Sequence, residues 1–187
     1  MIKEGIGKLQ MATIIENQPI APNIYKMRFD APRLAAEAMP GQFIMVKVAP
    51  RLEPTLRRPF SFHLFDKKEG HIEFIYQIVG KGTNILANRK AGEKIELLGP
   101  LGNGFQVCGG KRIGVVGGGM GIAPLLAVAK EIVNKGKEVV SFLGAKTGDH
   151  LLAVKQFEDI GPVYLTTEDG SISERALVVK PLVEYLD

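Results

Sequence analysis

The sequence predicts two successive domains of different class: a small antiparallel β-barrel over residues 1–108, then a shortened parallel-sheet α/β domain over residues 109–187. Three observations carry this. The first half alternates short β-branched and aromatic runs with proline and glycine turn signals. Beyond about Lys111 the pattern becomes strand, helix, strand, helix, strand, the signature of a parallel sheet with crossover helices. The glycines are concentrated: the chain has 22, about 12 % against a usual level of about 7 %. More than half of them lie between Gly80 and Gly121.

Taken in order, residues 8–15, 24–29, 43–48 and 71–78 are short and apolar enough for strands. Pro19, Pro22, Pro32, Pro40-Gly41, Pro50, Pro54 and the Lys68 to Gly70 stretch punctuate them. Two short helices are predicted here, at 33–38 and 84–89, the second just after Gly80-Lys81-Gly82-Thr83. The join falls near 107–111. Residues 112–116 then read as a strand, followed by Gly117-Gly118-Gly119-Met120-Gly121. Residues 122–134 place Ile122, Leu125, Leu126, Ala129, Ile132 and Val133 at helical spacing, with Gly136 as a C-terminal cap. A strand at 138–143, a helix at 151–158 and a strand at 163–167 complete the prediction.

Composition excludes several classes. Lys plus Arg is 24 and Asp plus Glu 20, a net charge of +4 without a polybasic run, so charge gives no reason to expect nucleic acid. With Cys108 as the one cysteine, these residues can form no intramolecular disulfide, no zinc finger and no all-cysteine iron–sulfur cluster. The N-terminal residues carry Lys3, Glu4 and Lys8 and no apolar signal core. The longest uncharged stretch, 113–129, holds five glycines and Pro124 and is shorter than the roughly 20 apolar residues of a membrane span. The expectation is a soluble cytoplasmic protein with no membrane association.

The glycine clusters suggest chemistry. A glycine-rich turn between a strand and a helix lets backbone N–H groups approach a phosphate closely. Val116 to Ala123 holds that position, yet Ile122 stands where the usual dinucleotide fingerprint needs its third glycine. A tight turn packed under a neighbouring element is the plainer alternative. Gly80-Lys81-Gly82-Thr83 would cradle a phosphate with its N–H groups and the Thr83 hydroxyl. Arg57 and Arg58, beside Pro59, would hold a pyrophosphate by bidentate bonds, or would simply be solvated surface arginines. His63, His71 and His150 are scattered and read as structural or surface residues.

Four segments in order change that balance: Arg58-Pro59-Phe60-Ser61; Tyr76-Gln77-Ile78-Val79-Gly80-Lys81-Gly82-Thr83; Gly99-Pro100-Leu101-Gly102-Asn103-Gly104-Phe105; and Gly117-Gly118-Gly119-Met120-Gly121-Ile122-Ala123-Pro124-Leu125. Together they resemble the ferredoxin reductase superfamily, and within it the electron-transfer subunits of the dihydroorotate dehydrogenase B type. The resemblance implies an FAD-binding barrel followed by an NAD(P)-binding domain. Arg58 would pair with the FAD pyrophosphate, with Pro59 fixing the turn. Phe60 would lie against the flavin or its ribityl chain. Ser61 would sit at the reactive N5 edge as a hydrogen-bond partner, the one catalytic position. Ile78 and Val79 would offer backbone atoms to the isoalloxazine edge, and Gly80, Lys81, Gly82 and Thr83 would bind phosphate. Gly117, Gly118, Gly119, Met120, Gly121, Ile122 and Pro124 would line the dinucleotide pyrophosphate site. No metal ligands are implied.

The implied reaction is hydride transfer from NAD(P)H to FAD and delivery of electrons to a catalytic oxidoreductase partner of the dihydroorotate dehydrogenase type, in a heterotetramer serving pyrimidine biosynthesis. The cofactors carry such chemistry while the protein orients them. A stand-alone NAD(P)H:acceptor or ferredoxin- or sulfide-linked reductase, and a non-catalytic FAD-binding module, remain open. Members of the dihydroorotate type continue with a strand bearing Cys-Gly-Pro and a cysteine-rich tail that holds a [2Fe–2S] cluster. These residues contain neither, so no cluster is expected on them, and NAD(P) binding is expected to be weakened.

Overall fold

The computed structural model describes residues 7–49, 56–172 and 175–187. The turn signals at Pro50 and Pro54 and the charged residues Lys3 and Glu4 lie outside them. The described elements are β1 (Lys8–Ala21), β2 (Ile24–Asp30), α1 (Pro32–Glu37), β3 (Phe43–Lys47), β4 (Arg58–Ser61), β5 (Leu64–Asp66), β6 (His71–Gln77), α2 (Lys81–Ala87), β7 (Lys94–Leu101), β8 (Arg112–Gly118), α3 (Leu125–Asn134), β9 (Glu138–Ala145), α4 (Val154–Glu158), β10 (Val163–Thr167) and α5 (Val179–Leu186). They divide into two compact units, one ending at Phe105 and the other beginning at Gln106.

The first unit is an antiparallel sheet in the order β4-β3-β7-β1-β2-β6-β5. Two-residue alternation supplies its core: Met27 and Phe29 on β2, Ile44 and Val46 on β3, Ile72, Phe74 and Tyr76 on β6, and Ile95 and Leu97 on β7 are all buried. Burying each large side chain contributes roughly 1.5–3 kcal/mol. The sheet curls. Phe60, on edge strand β4, stacks on Phe74 of β6 with ring centroids 4.5 Å apart and planes within 6°. The two ends of the sheet thus meet through side chains, which gives the barrel its shape.

The second unit is a parallel sheet in the order β10-β9-β8. Central strand β9 is buried along nearly its whole length, as a strand covered on both faces must be. On one side α3 buries Leu126, Ala129 and Ile132 and ends at Gly136, whose φ of 71° suits glycine. On the Phe142 side α5 brings Tyr185 edge-on to Phe142 and Tyr164. Arg112 donates to the Tyr185 hydroxyl at 3.2 Å.

Several local predictions are corrected. β1 runs through Pro19, because its pairing with β7 ends at Thr13 and the missing N–H costs no ladder bond there. Residues 58–61 form β4, and β5, β7 and α5 lie outside the predicted elements. Helix α2 begins at Lys81, not Asn84, so Lys81, Gly82 and Thr83 form its first turn. A short 3-10 turn at Gly119–Ile122 precedes α3. Helix α4 begins at Val154, after Ala153 in the left-handed region. At the end of the first unit the Phe105 ring packs on Gly41, and its N–H donates to the Pro40 carbonyl at 2.8 Å.

Candidate cofactor-binding site

The two adjacent arginines have different fates. Arg57 is ion-paired with Glu96 of β7. Arg58, on the opposite face of the strand, donates to the carbonyls of Leu56 at 2.6 Å and Arg57 at 3.5 Å. Among the described residues no carboxylate neutralises it. Its guanidinium lies over the first turn of α2: a Cβ on Gly82 would stand 2.9 Å from Nε and 3.2 Å from Nη2. Only glycine admits the cation this close. Opening turns of helices favour anions, and here the guanidinium stands beside one. That cradle fits the pyrophosphate of a dinucleotide.

Strand alternation sets the neighbouring positions. Phe60 shares the face of Arg58, half-buried between Phe74 and Tyr76, while Pro59 and Ser61 are exposed on the other face. After β6 the Ile78 N–H donates to the Asn23 carbonyl at 2.8 Å, and the Val79 N–H donates to the Thr83 hydroxyl at 3.0 Å. The N–H groups at both positions expected along the flavin edge are therefore committed within the chain. Val79 leaves its side chain 79 % exposed. The Thr83 hydroxyl also accepts from the Gly80 N–H at 3.3 Å and donates to the Gly80 carbonyl at 3.2 Å. Thr83 is buried, and its hydroxyl closes the start of the helix. Gly80 and Lys81 are exposed beside it.

In the second unit the glycine run does two jobs. Gly117 is a packing glycine, since a Cβ there would meet Leu125 Cδ1 at 2.5 Å and the Ile122 backbone at 3.2 Å. Ile122 is fully buried, and Pro124 immediately precedes α3. Met120 accepts from the Ala123 N–H at 3.2 Å in the intervening turn, and Gly121 is exposed. Gly118 and Gly119 instead line a cleft of about 300 Å³ with Gly144, Lys146, Thr166 and Glu168. All of these stand at the carboxyl ends of β8, β9 and β10, where open parallel sheets bind their ligands. Among the described residues the buried Thr166 hydroxyl has no hydrogen-bond partner.

Two residues assigned no role from the sequence, Asn17 and the motif's Tyr76, are tied to this site. Tyr76, inside the barrel, donates its hydroxyl to Asn17 Oδ1 at 2.9 Å, and burial pushes its pKa well above the usual phenol value. Asn17 also reaches the far end of α2. For Asn17 the strand pattern gave no signal, since alternation from the buried Ala12 and Ile14 points position 17 outward. Asp66 is held below the ordinary carboxylate range by the N–H groups of Glu69 and Lys68, in a surface turn away from these residues. Of the histidines, His63 is buried, His71 lies half-buried on β6, and His150 Nδ1 lies 2.8 Å from the Thr147 hydroxyl. Among the described residues no cluster of His, Cys, Asp and Glu could hold a metal, and no helix is long and apolar enough to cross a membrane.

Known proteins share both sequence and fold. The oxidoreductase FAD-binding domain family matches residues 11–105. The dihydroorotate dehydrogenase B (NAD(+)) electron transfer subunit of Desulforamulus reducens is 35 % identical over 184 residues, 97 % of this chain and 70 % of that protein. Its counterpart from Enterococcus faecalis is 37 % identical over 182 residues, 96 % of this chain and 69 % of that protein. Among solved structures, an NADH-dependent reduced ferredoxin-NADP oxidoreductase has a TM-score of 0.83 at 28 % identity, covering 100 % of this chain and 65 % of that one. The ferredoxin reductase of carbazole 1,9a-dioxygenase has a TM-score of 0.72 at 25 % identity, covering 86 % of this chain and 50 % of that one. With curated relatives matched along nearly its whole length and a curled barrel followed by a parallel sheet, the chain belongs to the family of dihydroorotate dehydrogenase B electron transfer subunits, flavoprotein oxidoreductases of ferredoxin reductase-like fold.

Proposed function

We propose that this chain binds FAD on its β unit, takes hydride from NAD(P)H bound on its α/β unit, and passes electrons to a catalytic partner of the dihydroorotate dehydrogenase type in a cytoplasmic heterotetramer. The observation that carries the reading is the Arg58 guanidinium seated on Gly82 at the start of α2. In this reading Arg58 and the first turn of α2 hold the FAD pyrophosphate. Phe60, backed by Phe74, offers an apolar ring to the flavin side and keeps water from it. Ser61, exposed at the end of β4, supplies a hydroxyl to the reactive edge. Gly118 and Gly119 let the NAD(P)H phosphates approach the backbone above β8. FAD, when bound, supplies the ring that accepts the hydride, so the residues need to bind and orient rather than exchange protons. With Cys108 the one thiol in these residues, they hold no four-thiolate cluster.

An anaerobic titration tests this. The purified chain is loaded with FAD and its flavin absorbance followed as NADH or NADPH is added. Bleaching by either donor is expected, together with electron transfer to the added partner subunit. Failure to take up FAD refutes the reading. Flavin that binds but is bleached by neither donor identifies a non-catalytic FAD module, and sustained reduction of small acceptors without a partner identifies a stand-alone reductase. Iron and acid-labile sulfide in stoichiometric amount would overturn the absence of a cluster.

A further inference from the structure

Asn17 lies where the strand pattern alone does not put it. The core-facing residues at the start of β1 are Ala12 and Ile14, and strict alternation would send Asn17 outward. The register shift between Ile14 and Glu16 inserts Ile15 as an extra residue in the pairing with β2. A bulge of this kind resets the alternation and re-aims the side chains beyond it. Glu16 is turned outward, its carboxylate 3.7 Å from Lys26 and 3.8 Å from Arg28. Asn17 comes opposite Met27, a fully buried core residue, and so faces inward.

There its amide joins two parts of the barrel. Nδ2 donates to the carbonyls of Leu86 at 3.0 Å, Ala87 at 3.3 Å and Arg89 at 2.8 Å. These stand at and just beyond the end of α2, where the helical ladder has run out. Three acceptors share two N–H bonds, so one hydrogen is bifurcated. Oδ1 accepts the Tyr76 hydroxyl, whose ring lies 5.7 Å from both Phe60 and Phe74. Helix α2 has 7 residues, too few to be stable by itself, and its placement depends on such ties.

We infer that Asn17 is a positioning residue for the flavin site: it fixes α2, whose first turn underlies Arg58, against the aromatic group that carries Phe60. The inference rests on the FAD reading above, but the clamp on α2 can be read without flavin. Three variants of the full chain separate its two halves. Tyr76→Phe removes only the hydroxyl bond. Asn17→Asp keeps the acceptor for Tyr76 and loses the amide donors, and Asn17→Ala loses both.

Two measurements are made: the FAD dissociation constant, from quenching of flavin fluorescence, and amide hydrogen exchange of the flavin-free chain. Loss of one to two net hydrogen bonds corresponds to about a ten- to hundredfold weaker FAD affinity in Asn17→Ala and Asn17→Asp. Exchange of the α2 amides is expected to rise about tenfold relative to those of β2 and β6 in these two variants, and to stay unchanged in Tyr76→Phe. Tyr76→Phe weakens FAD by a few-fold, and should Asn17→Ala not fold, an unchanged FAD affinity in Tyr76→Phe overturns the coupling. Protection lost uniformly across sheet and helix marks Asn17 as merely stabilising and overturns the inference. So does faster α2 exchange with FAD affinity unaltered. A wild-type chain that binds no FAD refutes the functional reading, while unaltered α2 exchange in Asn17→Asp refutes the clamp.

Discussion

Gly82→Ala should move stability and cofactor affinity in opposite directions. The added Cβ stands 2.9 Å from Arg58 Nε, 3.2 Å from Nη2 and 3.3 Å from Cζ. Carbon contacts settle at about 3.5–4.0 Å, so the guanidinium must retreat by roughly half an ångström or more. It is the free end of a long side chain and can do so cheaply. Gly82 is not among the residues with positive φ, and alanine in a helix is worth about 0.5–1 kcal/mol over glycine. For a chain of this size that is about 2–4 °C of extra melting temperature at most. FAD affinity should fall. A hydrogen bond to a charged group contributes about 1.5–3 kcal/mol, so displacing Arg58 costs about ten- to a hundredfold in the dissociation constant. Thermal denaturation of the flavin-free chain and a fluorescence titration with FAD measure the two effects. In an Arg58→Ala background Gly82→Ala should add little, because the partner it displaces is gone. Wild-type FAD affinity in Gly82→Ala, or an equal loss with and without Arg58, would refute the reasoning.

Gly117→Ala puts a methyl into Leu125 and the Ile122 backbone; an overpacking cost of about 1–3 kcal/mol should appear in urea denaturation, with NADH affinity reduced and FAD affinity kept. Phe60→Ala removes a half-buried ring stacked on Phe74, which should cost about 2 kcal/mol, below the range for a fully buried phenylalanine, and weaken FAD further; melting temperature and flavin titration read both. Tyr76 has its pKa raised by burial, so above about pH 10 the unfolded chain releases a proton that the folded one keeps, and stability falls with rising pH. A steeper alkaline loss of melting temperature in wild type than in Tyr76→Phe, with one tyrosine silent in a spectrophotometric phenolate titration, checks this. Asp66 has the opposite sign: its lowered pKa stabilises above the ordinary carboxylate value and is lost as pH falls through the folded value, so Asp66→Asn should flatten the acid limb.

The division into a β unit and an α/β unit was legible because each half carries its own period. Alternating burial on β2 and β6 and helical spacing from Leu125 to Ile132 are properties of contiguous residues, and they survive into the structure. Of the missed elements, β5 pairs with the adjacent β6 but is only three residues long; the others depend on partners elsewhere in the chain. Strand β4 is four residues long and contains a proline; it is a strand because Phe43, Ile44, Met45 and Val46 of β3 pair with it. Strand β7 contains Gly99 and Pro100 within its bounds, which local rules read as a turn. Helix α5 owes its place to Tyr185 meeting Phe142 and Tyr164 across the sheet.

The same division runs through the site. Arg58 and Phe60 are two residues apart on one strand, so sharing a face follows from alternation. Local reasoning could not choose between Arg57 and Arg58 as the available cation, since Glu96 neutralises Arg57 from another strand. Nor could it show that three backbone groups at Val79 and Gly80 engage the Thr83 hydroxyl. Asn17 is the extreme case. A single extra residue in β1 turns it inward, toward carbonyls 69 to 72 residues away and a hydroxyl 59 residues away. Resemblance points to residues that touch a cofactor because such residues form short, recognisable runs. The residues that hold those runs in register are single polar groups scattered along the chain, and they become visible only in the structure, where a bulge brings inward, as a fully bonded amide, a side chain that alternation sends outward.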